Sequence, residues 1–142
     1  MVTLQDAAAS CACLKARKAA RAVTRAYDRA LRPSGLRVTQ LNILGAAGVA
    51  GGAPLGKLAD ILGMERTTLT RNLQLIEREG LIKVVNMDGR TRNVVLTEAG
   101  NERLAQALPL WANAQNELRR KLGARDWATV QGAMVTLARI AL

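Results

Sequence analysis

The amino-acid sequence predicts a mainly α-helical chain with one small β-hairpin, an α+β fold. Three observations lead there. Apolar residues make up 49% of the 142 positions and recur at helical spacing along most of the chain, the pattern of helices that each bury one face. Aromatics are nearly absent, with Tyr27, Trp111, Trp127 and no Phe, so Leu, Ala, Ile and Val must fill the core, a mix that suits helices. The exception lies between Leu81 and Leu96, where two β-branched runs flank the dipeptide Asp88-Gly89, a hairpin signal.

Length points to one domain that buries roughly two thirds of the surface its unfolded chain exposes, enough for a core without staples. From Leu14 to Leu31, small apolar residues at 16, 19, 20, 23, 26, 27, 30 and 31 make one continuous helical face, and Pro33 and Gly35 end it. Arg17, Arg21, Arg25 and Arg29 follow one another at four-residue steps on another side. That stripe reads as a solvated face or as a contact for phosphates or an acidic ligand.

Thr39 is the expected N-cap of a second helix, with Leu41, Leu44 and Ala47 facing inward and Gly48, Gly51 and Gly52 closing it. Pro54 fits the first position of a third helix, where a missing N–H costs nothing. Leu55, Leu58, Ala59 and Leu62 form its buried stripe, and Gly63 stands where a left-handed C-terminal residue is wanted.

A fourth helix starts near Glu65 or Arg66 and buries Leu69, Leu73 and Ile76. Two amphipathic helices this closely spaced are a helix-turn-helix signature. The fourth helix presents Arg66, Thr67, Thr70, Arg71 and Gln74 on its other side, all able to hydrogen-bond and none acidic. Such side chains read base edges: Arg forks onto guanine, Gln onto adenine, and Thr meets a thymine methyl or a phosphate.

The strands expected at Leu81–Val85 and Thr91–Leu96 put Arg90 at a hairpin tip and Arg92 just behind it. A hairpin placed after such a helix is a wing, and an arginine there suits the negative potential of a narrow minor groove. Thr97 caps the next helix, which runs to about Leu122 through Pro109 with Leu104, Leu108, Trp111, Ala114 and Leu118 apolar. A last helix from Asp126 carries Trp127, Val130, Met134, Leu137 and Ile140 or Ala141. The first and last two helices hold more apolar surface than one chain can cover, which predicts dimerisation.

The net charge of +10 indicates a polyanionic partner. Its distribution is uneven: up to Leu36 there are seven Lys/Arg against two acids, but from Gly63 to Gly100 six against five. The apolar stretch from Val38 to Leu55 is broken by glycines, a proline and amides, so no membrane span is expected. Asp6 precedes the first cation, Lys15, and no continuous apolar segment follows, unlike a secretory signal; a cytoplasmic protein is expected. The absence of His, of a glycine-rich phosphate loop and of paired carboxylates speaks against an enzyme. Neither a metal nor another cofactor is expected. Cys11 and Cys13 lie too close in sequence to bond each other easily; they read as small residues near a helix start or as a thiol sensor.

The run L-A-D-I-L-G-M-E-R-T-T-L-T-R-N-L, then L-I-E-R-E-G-L-I, then D-G-R-T-R-N-V-V-L-T-E-A-G resembles the MarR family of winged helix-turn-helix transcription regulators in order and spacing, and the likeness extends over nearly the whole chain. The resemblance implies a homodimeric repressor on a pseudo-palindromic double-stranded operator, with half-sites about one DNA turn, roughly 34 Å, apart. It implies relief by a small aromatic or acidic ligand or by thiol oxidation. Residues 37–97 would then be the DNA-binding unit, and residues 1–36 and 98–142 the dimerisation helices.

Thr67, Thr68, Thr70 and Arg71 match the family's recognition-helix motif, and Asp88 and Arg90 its wing motif, in which the aspartate orients arginines. Glu65 and Gln74 depart from it, standing where a short capping residue and a basic residue are usual. The expected DNA-binding set is Arg66, Thr67, Thr68, Thr70, Arg71, Gln74, Arg90 and Arg92, with Asp88 and Gly89 shaping the wing. For a ligand, Tyr27 and Trp111 offer flat walls and Arg17 or Arg21 a partner for an acid. An unspecific architectural DNA-binding protein and a protein-interaction module remain the alternatives.

Overall fold

The computed structural model describes residues 1–86 and 88–141. Helix α1 (Leu4–Ser10) leads into α2 (Ala12–Leu31), a single 3₁₀ turn at Arg32–Ser34, and α3 (Val38–Val49). A short strand β1 (Ala53–Pro54) precedes α4 (Leu55–Leu62) and α5 (Arg66–Arg78). Strands β2 (Ile82–Asn86) and β3 (Arg92–Leu96) form the hairpin, and α6 (Glu98–Leu122) and α7 (Ala124–Ala141) complete the chain.

One apolar cluster holds the middle of the chain together. Leu31, Ile43, Leu44, Leu58, Leu69 and Ile76 are fully buried, and Ala107 brings α6 against them. Gly63, at φ 60°, ends α4, and the N–H of Met64 bonds back to the Ala59 carbonyl at 2.9 Å. A left-handed residue there lets α5 leave at once in a new direction without the penalty a Cβ would bring. Thr97 caps α6 as expected, its hydroxyl accepting the Gly100 N–H at 3.0 Å, and α6 continues through Pro109 to Leu122.

Several expectations are corrected. The N-terminus forms an additional helix, α1, because Thr3 and Asp6 cap it reciprocally: the Asp6 N–H donates to the Thr3 hydroxyl at 3.1 Å and the Thr3 N–H to the Asp6 carboxylate at 3.0 Å. Thr39 is not the N-cap of α3. That position is Arg37, and the caps come from elsewhere: Gln40 Oε1 accepts the Arg37 N–H at 3.0 Å, and Asp28 Oδ1, from α2, accepts the Val38 N–H at 2.8 Å.

Pro54 does not open α4; it lies in β1, where Ala53 pairs with Val94 and Pro54 with Asn93. The hairpin is therefore part of a three-stranded antiparallel sheet in the order β1-β3-β2. Proline is tolerated because β1 is an edge strand. The buried face of α6 runs through Gly100, Ala107 and Ala114, which leaves Leu108 52% exposed. Helix α7 starts at Ala124, two residues earlier than the sequence implied.

Much apolar surface stays uncovered. Leu14 and Val23 on α2, and Val130, Met134, Val135, Leu137 and Ile140 on α7, are exposed. Among the described residues no helix is long and apolar enough to cross a membrane.

Helix α4 offers a direct check of the core: Leu58→Ala, at a fully buried site, should cost about 2–5 kcal/mol in urea unfolding, whereas Ile61→Ala, at a site 56% exposed, should cost under about 0.5 kcal/mol.

Candidate nucleic-acid interface

Helix α5 is amphipathic in the simplest way: Leu69, Leu73 and Ile76 are buried, while Arg66, Thr67, Thr68, Arg71 and Gln74 are exposed. Glu65 occupies the N-cap without a side-chain hydrogen bond, so the first N–H groups of α5 are left for other partners. Thr70 is half-buried and donates its hydroxyl to the Arg66 carbonyl at 2.8 Å. Its proton is thereby spent within the helix, leaving an acceptor and a methyl group for outside contacts. Arg66 lies across the first turn of α4, where a Cβ on Gly56 would sit only 2.8 Å from its Nη2.

At the hairpin, Asn86 pairs with Arg92 across the strands. Asp88 Oδ1 accepts the Thr91 N–H at 2.6 Å and the Arg90 N–H at 2.9 Å, and Oδ2 accepts the Thr91 hydroxyl at 3.0 Å. These bonds, the Thr91 N–H foremost, hold the Asp88 carboxyl below the usual aspartate range. Gly89 supplies the left-handed residue of the turn at φ 76°. The aspartate therefore organises the turn through backbone N–H groups and one hydroxyl. Among the described residues it forms no ion pair with an arginine.

Five of the predicted residues fall into two groups. Thr70, Gln74 and Arg92 come together, with Glu77, along a groove of about 140 Å³ between α5 and the sheet. Arg90 and Asp88 stand apart from it at the hairpin tip. Ion pairs among the described residues are Glu79 with Arg103 and Glu117 with Lys121; Arg66, Arg71, Arg90 and Arg92 are in neither.

The ligand candidates fare differently. Tyr27 is buried and donates its hydroxyl to Gln115 Oε1, its phenol pushed up by that burial, and Trp111 packs against the core. Neither Arg17 nor Arg21 lines the cleft of about 670 Å³ that opens where α2 meets α3; Arg25, Arg29, Arg32 and Arg37 do, around Asp28. Both cysteines are exposed, and the Cys11 sulfur accepts the Leu14 N–H at 3.4 Å at the start of α2. No group of three or more metal-ligating side chains occurs among the described residues.

Two residues outside the predicted set adjoin the candidate interface: Gly56, which makes room for Arg66, and Glu77, the acid in the groove. Gly56 carries no signal in the sequence, because its neighbour comes from another helix. Glu77 was legible as one turn beyond Leu73 but reads there as an ordinary exposed acid.

A pair of short helices with a bonded turn, followed by a hairpin with a cationic tip, defines a winged helix-turn-helix protein. No family model matches the chain, and no curated protein does. Among solved structures the chain is similar to the transcriptional regulator MosR of M. tuberculosis in complex with DNA, with 41% identity over 93% of this chain and 96% of that one and a TM-score of 0.85. The fold is shared by the transcriptional repressor CouR bound to a 23-mer DNA duplex, at 20% identity, coverage of 97% and 99% and a TM-score of 0.83. It is shared too by an E. coli MarR mutant complexed with operator DNA, at 19% identity, coverage of 96% and 99% and a TM-score of 0.83. The chain belongs to the MarR family of transcription regulators.

Because its folded-state value is depressed, Asp88 should order the turn at neutral pH and continue to do so as the pH falls through about 3.9, the ordinary aspartate value. The order is lost only as the pH falls through the lower folded value. In an NMR titration the Arg90 and Thr91 amides should report a midpoint below about 3.9, and Asp88→Asn should speed their hydrogen exchange; an ordinary midpoint would remove the anchoring role.

Proposed function

We propose that the chain is a homodimeric, sequence-specific repressor of transcription that acts in the cytoplasm on pseudo-palindromic double-stranded DNA. Residues 37–97 contact DNA; residues 1–36 and 98–142 pair the two copies. The observation that carries this reading is the exposed face of α5, which combines Arg66, Thr67, Thr68, Arg71 and Gln74, with Glu77 as the acid beside Gln74. The similarity to MosR, solved with DNA, supports it.

In this reading α5 enters the major groove. Arg71 and Gln74 offer the side chains that fork onto guanine and adenine, and Thr67, Thr68 and Thr70 supply hydroxyls and methyls. Arg66 meets phosphate at the N-terminal end of α5, where unbonded N–H groups add to the positive field. Arg90, presented by the turn that Asp88 and Gly89 build, reaches the adjacent minor groove, with Arg92 behind it. The exposed apolar residues of α2 and α7 are covered by a second copy. Catalysis has no part in this scheme.

Relief follows from two features. The arginine cleft joins the helix that pairs the copies, α2, to the first helix of the DNA-binding unit, α3, and suits a small aromatic or acidic ligand. Cys11 lies between α1 and α2, where its sulfur caps α2; oxidation would replace that contact.

Filter binding to DNA upstream of the protein's own gene should be saturable, with log affinity falling against log salt by about 0.9 per phosphate neutralised. Arg90→Ala should weaken the complex by about 1–3 kcal/mol, and Arg71→Ala should relax the choice of base. Absence of saturable, salt-sensitive binding would sink the reading, and equal affinity for random DNA would make the protein an unspecific architectural binder instead.

Peroxide or an aromatic acid should release wild-type protein from DNA. Release by peroxide should vanish in Cys11→Ser plus Cys13→Ser, and release by acid in Arg25→Gln plus Arg32→Gln. Wild-type complexes indifferent to both reagents would remove these triggers.

A further inference from the structure

The two ends of the DNA-binding unit meet at one point. Helix α5 closes through Gly80, in the left-handed region at φ 75°, with the Leu81 N–H bonded back to the Ile76 carbonyl at 3.1 Å. The two carbonyls just beyond that closure are taken by one residue at the start of α6. Thr97 donates its hydroxyl to the Gly80 carbonyl at 2.6 Å and its N–H to the Leu81 carbonyl at 3.1 Å. The same hydroxyl oxygen accepts the Gly100 N–H at 3.0 Å, which is the α6 cap.

Gly100 adds a steric term. It is buried, and a Cβ there would collide with the Leu81 carbonyl oxygen and lie 3.0 Å from the carbonyl carbon. The first turn of α6 thus rests on the backbone behind α5 with no side chain between. Side chains can yield by changing rotamer; a backbone resting on a backbone cannot. The nearby Arg103–Glu79 pair, at 3.9 Å and partly exposed, is too long and too wet to supply the rigidity.

Helix α6 has 25 residues and is about 37 Å long at ~1.5 Å per residue. Tilting it by about 5° at its first turn would move the far end by roughly 3 Å over that length. That far end carries α7, with its uncovered apolar residues.

We propose that Thr97 and Gly100 are positioning residues that fix the angle between α5 and α6 and thereby set the separation of the two α5 helices in the homodimer. They decide which half-site spacing the protein accepts, without touching DNA. The inference rests on the homodimeric, DNA-binding reading given above.

The test uses the full-length protein with Cys11→Ser and Cys13→Ser, a nitroxide label on Thr67→Cys, and electron-electron distance measurement between the two copies. Thr97→Val, which keeps shape but removes the hydroxyl, should broaden the label distance distribution or shift it by about 3 Å, the lever-arm displacement. Thr97→Ser should restore the wild-type distribution. Unlabelled Thr97→Val should bind a two-half-site duplex about tenfold more weakly, as the loss of the two hydrogen bonds made by the hydroxyl allows, while its affinity for a single half-site changes little.

Gly100→Ala should do the same where it folds, with far-UV circular dichroism as the check; Thr97→Val carries the test where it does not. An unchanged label distance in Thr97→Val, or equal losses for one and two half-sites, would reduce both residues to local caps and overturn the proposal. Failure of the wild type to bind any duplex would instead overturn the DNA-binding reading, and this proposal with it.

Discussion

Where α6 leaves the hairpin, its first turn lies on the carbonyl of Leu81 with only a glycine between them. Most of the architecture depends on that contact. Thr97 belongs to the end of β3 and to the start of α6, and Gly80 and Leu81 to the end of α5 and the start of β2. Packing them backbone to backbone closes the winged unit into a loop. The cluster of Leu69, Ile76, Leu81 and Val94 fills the interior of that loop, so the exposed face of α5 is defined by what is buried behind it. Burying each such side chain contributes about 1.5–3 kcal/mol, more than any single polar contact at the surface. The hydrogen bonds at Thr97 add direction to that gain.

Charge is arranged on a different principle. The region from Gly63 to Gly100 is nearly neutral in total, with six Lys/Arg and five acids, but of these acids only Glu77 stands among the exposed polar residues of α5. Glu65 is its N-cap, Glu79 its C-cap, and Glu98 begins α6. Asp88 spends its carboxylate on the turn, and Glu77 lies in the groove with Arg92. A summed charge therefore understates the local field, because potentials at a surface follow placement rather than totals. Arg25, Arg29, Arg32 and Arg37 show the opposite case: a cluster held around one aspartate already committed to capping α3.

The central unit was legible in the sequence because its signals are local. Leu58, Leu69, Leu73 and Ile76 announce themselves by spacing, and Gly63 and Thr97 by their places at helix ends. What escaped depends on residues far apart in the chain. Thr39 is a good cap by type, but Asp28 reaches across from α2 and Gln40 back from within α3, so the helix begins two residues earlier. Ala53–Pro54 has no strand pattern of its own and becomes β1 only because β3 offers it a free edge. Leu108 fits a helical apolar stripe, but the close approach at Gly100, Ala107 and Ala114 sets the rotation of α6 and turns Leu108 outward. Arg17 and Arg21 lie outside the cleft, which is lined by Arg25 and Arg29 of α2, Arg32 of the 3₁₀ turn and Arg37 beyond it.

The uncovered apolar surface and the rigid joint make sense together. Leu14 and Val23 lie on α2, and Met134, Leu137 and Ile140 on α7, whereas the groove of Thr70, Gln74 and Arg92 lies between α5 and the sheet. A second copy that covers the first set can influence the second only through elements that do not bend. Helix α6 is continuous from Glu98 to Leu122 despite Pro109, and its first turn is seated on backbone. The arginine cleft and Cys11 both lie at ends of α2, the other helix that would feel a change in pairing. In the proposed scheme a change at either place would reach α5 through α3 and the core on one side, and through α6 and Thr97 on the other.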